Sequence, residues 1–139
     1  MIDGPSVSAP RGIGISLVEG DSAVRHARQL MLRAERYDVR SYATSAALLA
    51  DPRSRDYPCM IVDLEPAGAD VAAMLRAMRA SGWRGKAILL GGADTDGAAY
   101  DAAARYGDRM LPRATGERTL LTAIDASVDR GWGSWNANG

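Results

Sequence analysis

Short apolar runs alternate along this chain with segments whose apolar positions follow helical spacing. Five runs predict β-strands, because each is short, mainly apolar and bounded by turn residues. These predicted strands cover 12–19, 38–43, 59–64, 86–92 and 108–113. The first eleven residues are rich in Pro, Ser and Gly and show no periodicity. We therefore expect 1–11 to form a flexible tail.

A helix is predicted after each strand. The first begins at an Asp21 or Ser22 cap, and the apolar stripe expected to face the sheet comprises Val24, Ala27, Met31 and Ala34. The later helices are predicted over 44–52, 69–82, 95–107 and 115–131. The third should turn Met74, Leu75 and Met78 inward and end at Gly82. The last should begin at a Thr115 cap and bury Leu121, Ile124 and Val128.

Continuous apolar strands separated by helices indicate an α/β fold with a parallel sheet covered on both faces. The predicted fold is a doubly wound, five-stranded parallel sheet in one domain over 12–131, followed by a tail over 132–139. Functional side chains of such sheets gather at the carboxyl ends of the strands. The site is therefore expected at those ends.

Composition narrows the function classes. Seventeen basic and seventeen acidic residues cancel, so no overall charge favours binding to nucleic acid or to a membrane surface. A single cysteine, Cys59, excludes an intramolecular disulfide and a cysteine-based zinc site, and the single histidine, His26, excludes most histidine-dependent catalysis. No apolar segment reaches membrane-spanning length and no signal-peptide core is present, which predicts a cytoplasmic protein.

Asp63 is the first candidate for chemistry, because it ends the apolar strand "CMIVD". A carboxylate at the end of a buried strand is costly unless it is paired or used. Arg113, which ends the fifth strand, is the expected partner in an ion pair, and Glu19 at the end of the first strand can share the same arginine. Gly91 and Gly92 end the fourth strand and favour a tight bend.

Four segments together resemble the receiver domain of bacterial two-component response regulators. They are "SLVEGD", "IVDLEPAGAD", "AILLGGADTDG" and "YGDRMLPRA", and with the order of elements they extend the resemblance over about 12–131. The resemblance implies a flavodoxin-like (βα)5 fold. It also implies that the protein is no enzyme beyond accepting a phosphoryl group, onto its own Asp63, from a phosphohistidine donor.

The resemblance assigns Asp63 to the phosphoacceptor position and Glu19 to the first of two metal-binding acids. The second acid is replaced by Gly20, which weakens a Mg²⁺ site, since a hard cation loses one of its few protein ligands. Asp21 and Glu65 are the residues that could replace the missing ligand. No other cofactor is implied.

The remaining family positions also depart from the pattern. Gly91, followed by Gly92, stands where receivers carry a hydroxyl, and Met110 stands at the position of the aromatic switch residue. Arg113 replaces the lysine and keeps its charge on a bulkier, planar group. The sequence therefore predicts a degenerate phosphorylation site.

Two hypotheses follow from the resemblance: a receiver with Asp63 as phosphoacceptor, or a pseudo-receiver that serves as a phosphorylation-independent protein-interaction module. An unrelated doubly wound nucleotide or flavin binder would need a glycine-rich phosphate loop after the first strand, and "VEGDSAV" offers neither the glycines nor a P-loop lysine.

The implied partner is a histidine kinase or a phosphotransfer protein. It would contact the first helix, whose candidate partner surface is basic and comprises Arg25, Arg28, Arg33 and Arg36. A solvated helix face explains the same arginines equally well. The Ala-rich helix over 95–107, with the fifth strand, could form a homodimer interface or simply pack closely on the sheet. Neither a nucleic-acid nor a membrane partner is expected.

Overall fold

Five parallel strands form one sheet in the computed structural model. The strands are β1 (Gly14–Val18), β2 (Asp38–Tyr42), β3 (Cys59–Asp63), β4 (Lys86–Leu90) and β5 (Arg109–Leu111). Their order in the sheet is β2-β1-β3-β4-β5, so the chain changes direction across the sheet between β1 and β3. The predicted fold class is confirmed, and the carboxyl ends of β1 and β3 mark the switch point where such sheets place their ligands.

The structure describes residues 12–64, 68–91 and 108–128. Its helices are α1 (Ser22–Ala34), α2 (Ser45–Ala50), α3 (Gly68–Ala80) and a last helix (Glu117–Ser127), with a 3₁₀ helix (Pro52–Asp56) before β3. The predicted tails over 1–11 and 132–139 and the predicted helix over 95–107 lie outside the described residues. None of the described helices is long and apolar enough to cross a membrane.

Most helix ends follow the predicted signals. As predicted, the Asp21 carboxylate caps α1, and Gly82 has the positive φ of 97° expected of a residue that ends a helix. The Thr44 hydroxyl caps α2, where the second predicted helix begins. The prediction for the last helix is wrong, because its N-cap is Gly116. The Thr115 hydroxyl instead donates to the carbonyl oxygen of Pro112, at 2.6 Å, and so closes the preceding turn.

The sheet separates two apolar clusters, and the strand sequence explains both. Along β3, Met60 and Val62 join the cluster under α2 and α3, while Ile61 joins the cluster under the last helix. Successive side chains of a strand point to opposite faces, so a strand covered on both sides is apolar throughout. The predicted inward residues of α3 and of the last helix lie in or against these clusters.

The predicted apolar stripe of α1 needs correction. Leu32 is the fully buried residue of α1, whereas Ala27 and Ala34 are exposed. Leu30 is 54% exposed, the largest exposure of a large hydrophobic residue in the described part of the chain. The helix is rotated about its axis relative to the prediction, and this rotation turns Arg28 toward the sheet.

Candidate functional site

Two carboxylates meet at the carboxyl ends of β1 and β3. Val18 is paired with Val62 in the parallel register, so Glu19 and Asp63, the next residues along each strand, lie side by side. Both are buried, at 1% and 5% exposure. The backbone N–H of Glu19 also donates to the carbonyl oxygen of Tyr42, which holds this residue against β2. Sheet register therefore forces the two acids together.

Asp63 is paired with Arg113, as predicted. The Arg113 Nε donates to Asp63 Oδ2 at 2.9 Å. The Asp63 side chain is fully buried, while the Arg113 side chain is 43% exposed. The pair therefore joins a carboxylate held by the sheet to a cation that reaches it from the surface.

Arg28 enters the same site from α1 and contacts both acids. Its Nη1 lies 2.6 Å from Glu19 Oε1 and 3.5 Å from Asp63 Oδ2, and its side chain is 17% exposed. Arg28 is one of the arginines predicted to form a basic partner surface, and its guanidinium lies at the two acids. The signal that could have found it is its spacing, because Val24, Arg28 and Leu32 follow one another at four-residue intervals on one face of α1.

The environment of Glu19 disfavours its charged form. Burial raises the pKa of Glu19, and the hydrogen bond and repulsion from Asp63 raise it further. The backbone N–H of Asp21, which donates to Glu19 Oε2 at 3.0 Å, and the charge of Arg28 lower it only in part. The negative charge of the two acids is therefore stabilised only in part, and that stabilisation depends on the guanidinium groups beside them.

Asp21, a candidate replacement for the missing metal-binding acid, has a different role. Its Oδ1 accepts hydrogen bonds from the backbone N–H groups of Ala23 and Val24, at 2.9 and 3.1 Å. These contacts cap α1 at an exposed position. The other candidate, Glu65, lies outside the described residues.

The described residues do not fit a Mg²⁺ ion. Among them, no group of three or more His, Cys, Asp or Glu side chains could hold a metal. Mg²⁺ requires near-octahedral oxygen coordination. Here two carboxylates lie together, and the guanidinium of Arg28 contacts both. Among the described residues, Arg28 and Arg113 are the cations that contact these acids.

The remaining receiver-like positions fall beside the acid pair or outside the described residues. Gly91 is half-buried, and its N–H donates to the carbonyl oxygen of Leu111 at 2.9 Å, which extends the pairing of β4 with β5. Met110 is partly buried and packs against the cluster under α3. Gly92 lies outside the described residues.

The predicted basic surface of α1 is divided between two roles. Arg25 is half-buried, and its Nη1 donates to the backbone oxygen of Glu19 at 2.9 Å, so it supports the site as Arg28 does. Arg33 and Arg36 are exposed, and Arg36 has a positive φ of 72° just beyond the helix. The surface available to a partner is therefore smaller than the sequence suggested.

Solved structures of receiver domains share this fold. The chain is similar to a response regulator signal receiver domain from Bermanella marisrubri, with 21% identity, a TM-score of 0.69, and 85% of this chain and 99% of that chain covered. A CheY-like receiver domain protein from Methanospirillum hungatei JF-1 gives 17% identity and a TM-score of 0.73, covering 88% of this chain and 98% of that chain.

An adenylate cyclase from Rhodopirellula baltica is also similar, with 17% identity, a TM-score of 0.80, and 91% of this chain and 95% of that chain covered. No protein-family model matches the sequence, and a search of the curated proteins found no match. These likenesses establish that the chain has the receiver fold, while the function of its site must be argued from its own residues.

Proposed function

We propose that this chain is a receiver-type signalling domain that acts as a protein-interaction module, with its Asp63 site held in a charge-compensated state without phosphorylation. The observation that carries the proposal is the position of Arg28, whose guanidinium contacts both Glu19 and Asp63. The likeness to receiver domains supports the signalling class. The partner class implied by the resemblance is a histidine kinase or a phosphotransfer protein.

The charge balance favours the unphosphorylated state. Asp63 Oδ2 accepts from Arg113 and lies near Arg28, so one oxygen of the candidate phosphoacceptor is already engaged. Phosphoryl transfer depends on positioning and on neutralising the charge of the transferred group. Gly91 supplies no hydroxyl for that group, and the described residues do not fit the metal that usually neutralises it.

A second candidate function is phosphoryl acceptance at Asp63, and the exposure of Arg113 favours it. Asp63 is at the carboxyl end of a central strand, and the half-exposed Arg113 side chain can move outward and contact a phosphoryl oxygen. A guanidinium offers two parallel hydrogen bonds to such a group. In this case a kinase or phosphotransfer protein would phosphorylate Asp63, and the site would differ from ordinary receivers in its cations.

Intact-mass measurement separates the two functions. The chain is incubated with acetyl phosphate, with and without Mg²⁺, and then with a phosphorylated phosphotransfer protein, beside Asp63→Asn. We expect no mass increase in any reaction, because Asp63 is buried and ion-paired. A receiver with a known phosphoacceptor serves as positive control. One added phosphoryl group on the original chain that is absent from Asp63→Asn would overturn the proposal in favour of the second candidate.

A further inference from the structure

We infer that the guanidinium of Arg28 occupies the position between Glu19 and Asp63 where a divalent cation would otherwise bind. The chain itself thereby prevents this acid pair from binding such a cation. The inference deepens the proposed function and rests on it for the assignment of this site to a receiver-type centre. Its test measures cation binding alone, so that either conclusion can fail while the other stands.

The first argument is geometric. A cation shared by two carboxylates must lie within contact distance of an oxygen of each, and Arg28 Nη1 does so, at 2.6 Å from Glu19 and 3.5 Å from Asp63. The second cation of the site, Arg113, contacts Asp63 alone among these two acids. Arg28 is therefore the group that bridges the pair.

The second argument concerns how Arg28 is held. Asp21 caps the start of α1, and Arg25, one turn before Arg28, donates to the backbone oxygen of Glu19. These contacts fix the first turns of α1 against the end of β1. Because Arg28 is part of the chain, its contact with the acids costs little translational entropy. A free divalent ion would lose that entropy and part of its hydration shell on binding.

The third argument is electrostatic. The guanidinium of Arg28 places a positive charge beside both acids. Burial makes an uncompensated second carboxylate costly, which is the reason for a cation at this position. The Arg113 charge next to Asp63 further disfavours a divalent ion while Arg28 is present.

The test compares thermal unfolding in MgCl2 and in NaCl of matched ionic strength. The variant Arg28→Met removes the bridging charge and keeps an apolar stem of similar length. We expect the Tm of the original chain to change by less than about 1 °C, and that of Arg28→Met to rise by about 3–6 °C at about 10 mM MgCl2.

Restoring the second acid should strengthen the effect. A Cβ added at Gly20 would meet nothing closer than the Ala43 carbonyl oxygen, at 3.8 Å, so the backbone there accepts a Cβ without a clash. The double variant Gly20→Asp, Arg28→Met is therefore expected to show a larger Mg²⁺-dependent rise in Tm than Arg28→Met alone, because it offers the ion a third carboxylate.

Two variants serve as controls. Arg113→Met removes one positive charge from Asp63 and leaves the bridging Arg28 in place, so its Tm should rise with Mg²⁺ by less than that of Arg28→Met. Arg53→Met removes an exposed arginine from the 3₁₀ helix before β3, and it corrects for the general effect of one lost charge.

Each result decides the inference. An Mg²⁺-dependent Tm rise in the original chain as large as that in Arg28→Met would overturn it, as would a folded double variant that shows no rise. Arg28→Gln, which keeps a hydrogen-bond donor without the charge, provides a second variant. If either single variant is unfolded in NaCl, recovery of its far-UV circular dichroism in MgCl2 supports the inference, and failure to recover overturns it.

Discussion

Buried carboxylates contact arginines at both ends of the sheet, and the two groups of residues differ in the number of acids and in the exposure of the arginines. At the carboxyl end, Glu19 and Asp63 lie together and share Arg28, with Arg113 reaching Asp63 from the surface. At the amino end, one acid, Asp108, faces one arginine, Arg79 of α3. The same chemical groups therefore serve two different purposes in one small domain.

At the amino end, hydrogen-bond donors of the chain surround the single acid. Both oxygens of Asp108 accept from Arg79 Nη2, at 2.9 and 3.0 Å, and Oδ1 also accepts from the N–H of Ala87. Arg79 Nη1 donates to the Gly85 carbonyl oxygen at 2.7 Å, and its guanidinium stacks on the Trp83 ring. Burial raises the pKa of Asp108 even so, although the Ala87 N–H and Arg79 lower it. Such an arrangement is structural.

The carboxyl-end contacts have two acids in place of one and a partly exposed cation. Burial and the neighbouring Asp63 raise the pKa of Glu19, and Arg113 remains 43% exposed. The comparison teaches that burial of an ion pair does not by itself indicate function. A pair of like charges beside an exposed counter-ion at the switch point is the feature that indicates it.

The largest predicted effect breaks the amino-end pair. Arg79→Ala leaves the Asp108 carboxylate buried without its arginine, and it should lower the free energy of unfolding by about 3–5 kcal/mol. The matched change Arg113→Ala should cost about 1 kcal/mol or less, since Arg113 is partly exposed and Asp63 keeps Arg28. Urea unfolding followed by circular dichroism measures both. Equal costs for the two variants would contradict the distinction between the two ends.

A smaller difference in stability is expected when one glycine at each end of the sheet is replaced by alanine. A Cβ at Gly85 would clash with the Pro58 carbonyl oxygen and with the Trp83 ring, so Gly85→Ala should lower the free energy of unfolding by about 1–3 kcal/mol. Gly20→Ala meets nothing closer than 3.8 Å and should change stability by less than about 0.5 kcal/mol. The same urea titration applies, and a Gly20→Ala cost as large as that of Gly85→Ala would show that the carboxyl end is as tightly closed.

The smallest effect is a pH dependence. The folded-state pKa of Glu19 lies above its ordinary value of 4.5, so the folded chain holds the Glu19 proton more tightly than the unfolded chain does. The stability that this proton contributes is fully present below about pH 4.5 and is lost as pH rises through the folded-state pKa. Relative to Glu19→Gln, the original chain should therefore become less stable as pH rises from about 4.5 toward neutrality. The exposed acid variant Glu117→Gln is the control. A relative gain in stability with rising pH would mean that Arg28 outweighs burial.

The order and type of the described strands and α-helices could be predicted, because the local spacing of apolar residues indicates them. The 3₁₀ helix Pro52–Asp56 was not predicted. A strand covered on both faces must be apolar at consecutive positions, and this rule identified β1, β3 and β4. The meeting of Asp63 with Arg113 was also predictable, since the carboxyl ends of parallel strands share one edge of the sheet. The predicted Thr115 cap was wrong, because the Thr115 hydroxyl donates to the Pro112 carbonyl oxygen in the turn after β5.

The parallel α/β sheet, the edge where its site lies, and the acids at the ends of β1 and β3 all follow from the pattern of residues along the chain. Which cations contact those acids depends on how the helices pack against the sheet. The spacing of Arg28 places it on the inward face of α1, but only the packing of that helix brings its guanidinium to the two acids. The pairing of Arg79 with Asp108, 29 residues apart, likewise depends on how α3 packs against the sheet, which no local pattern records.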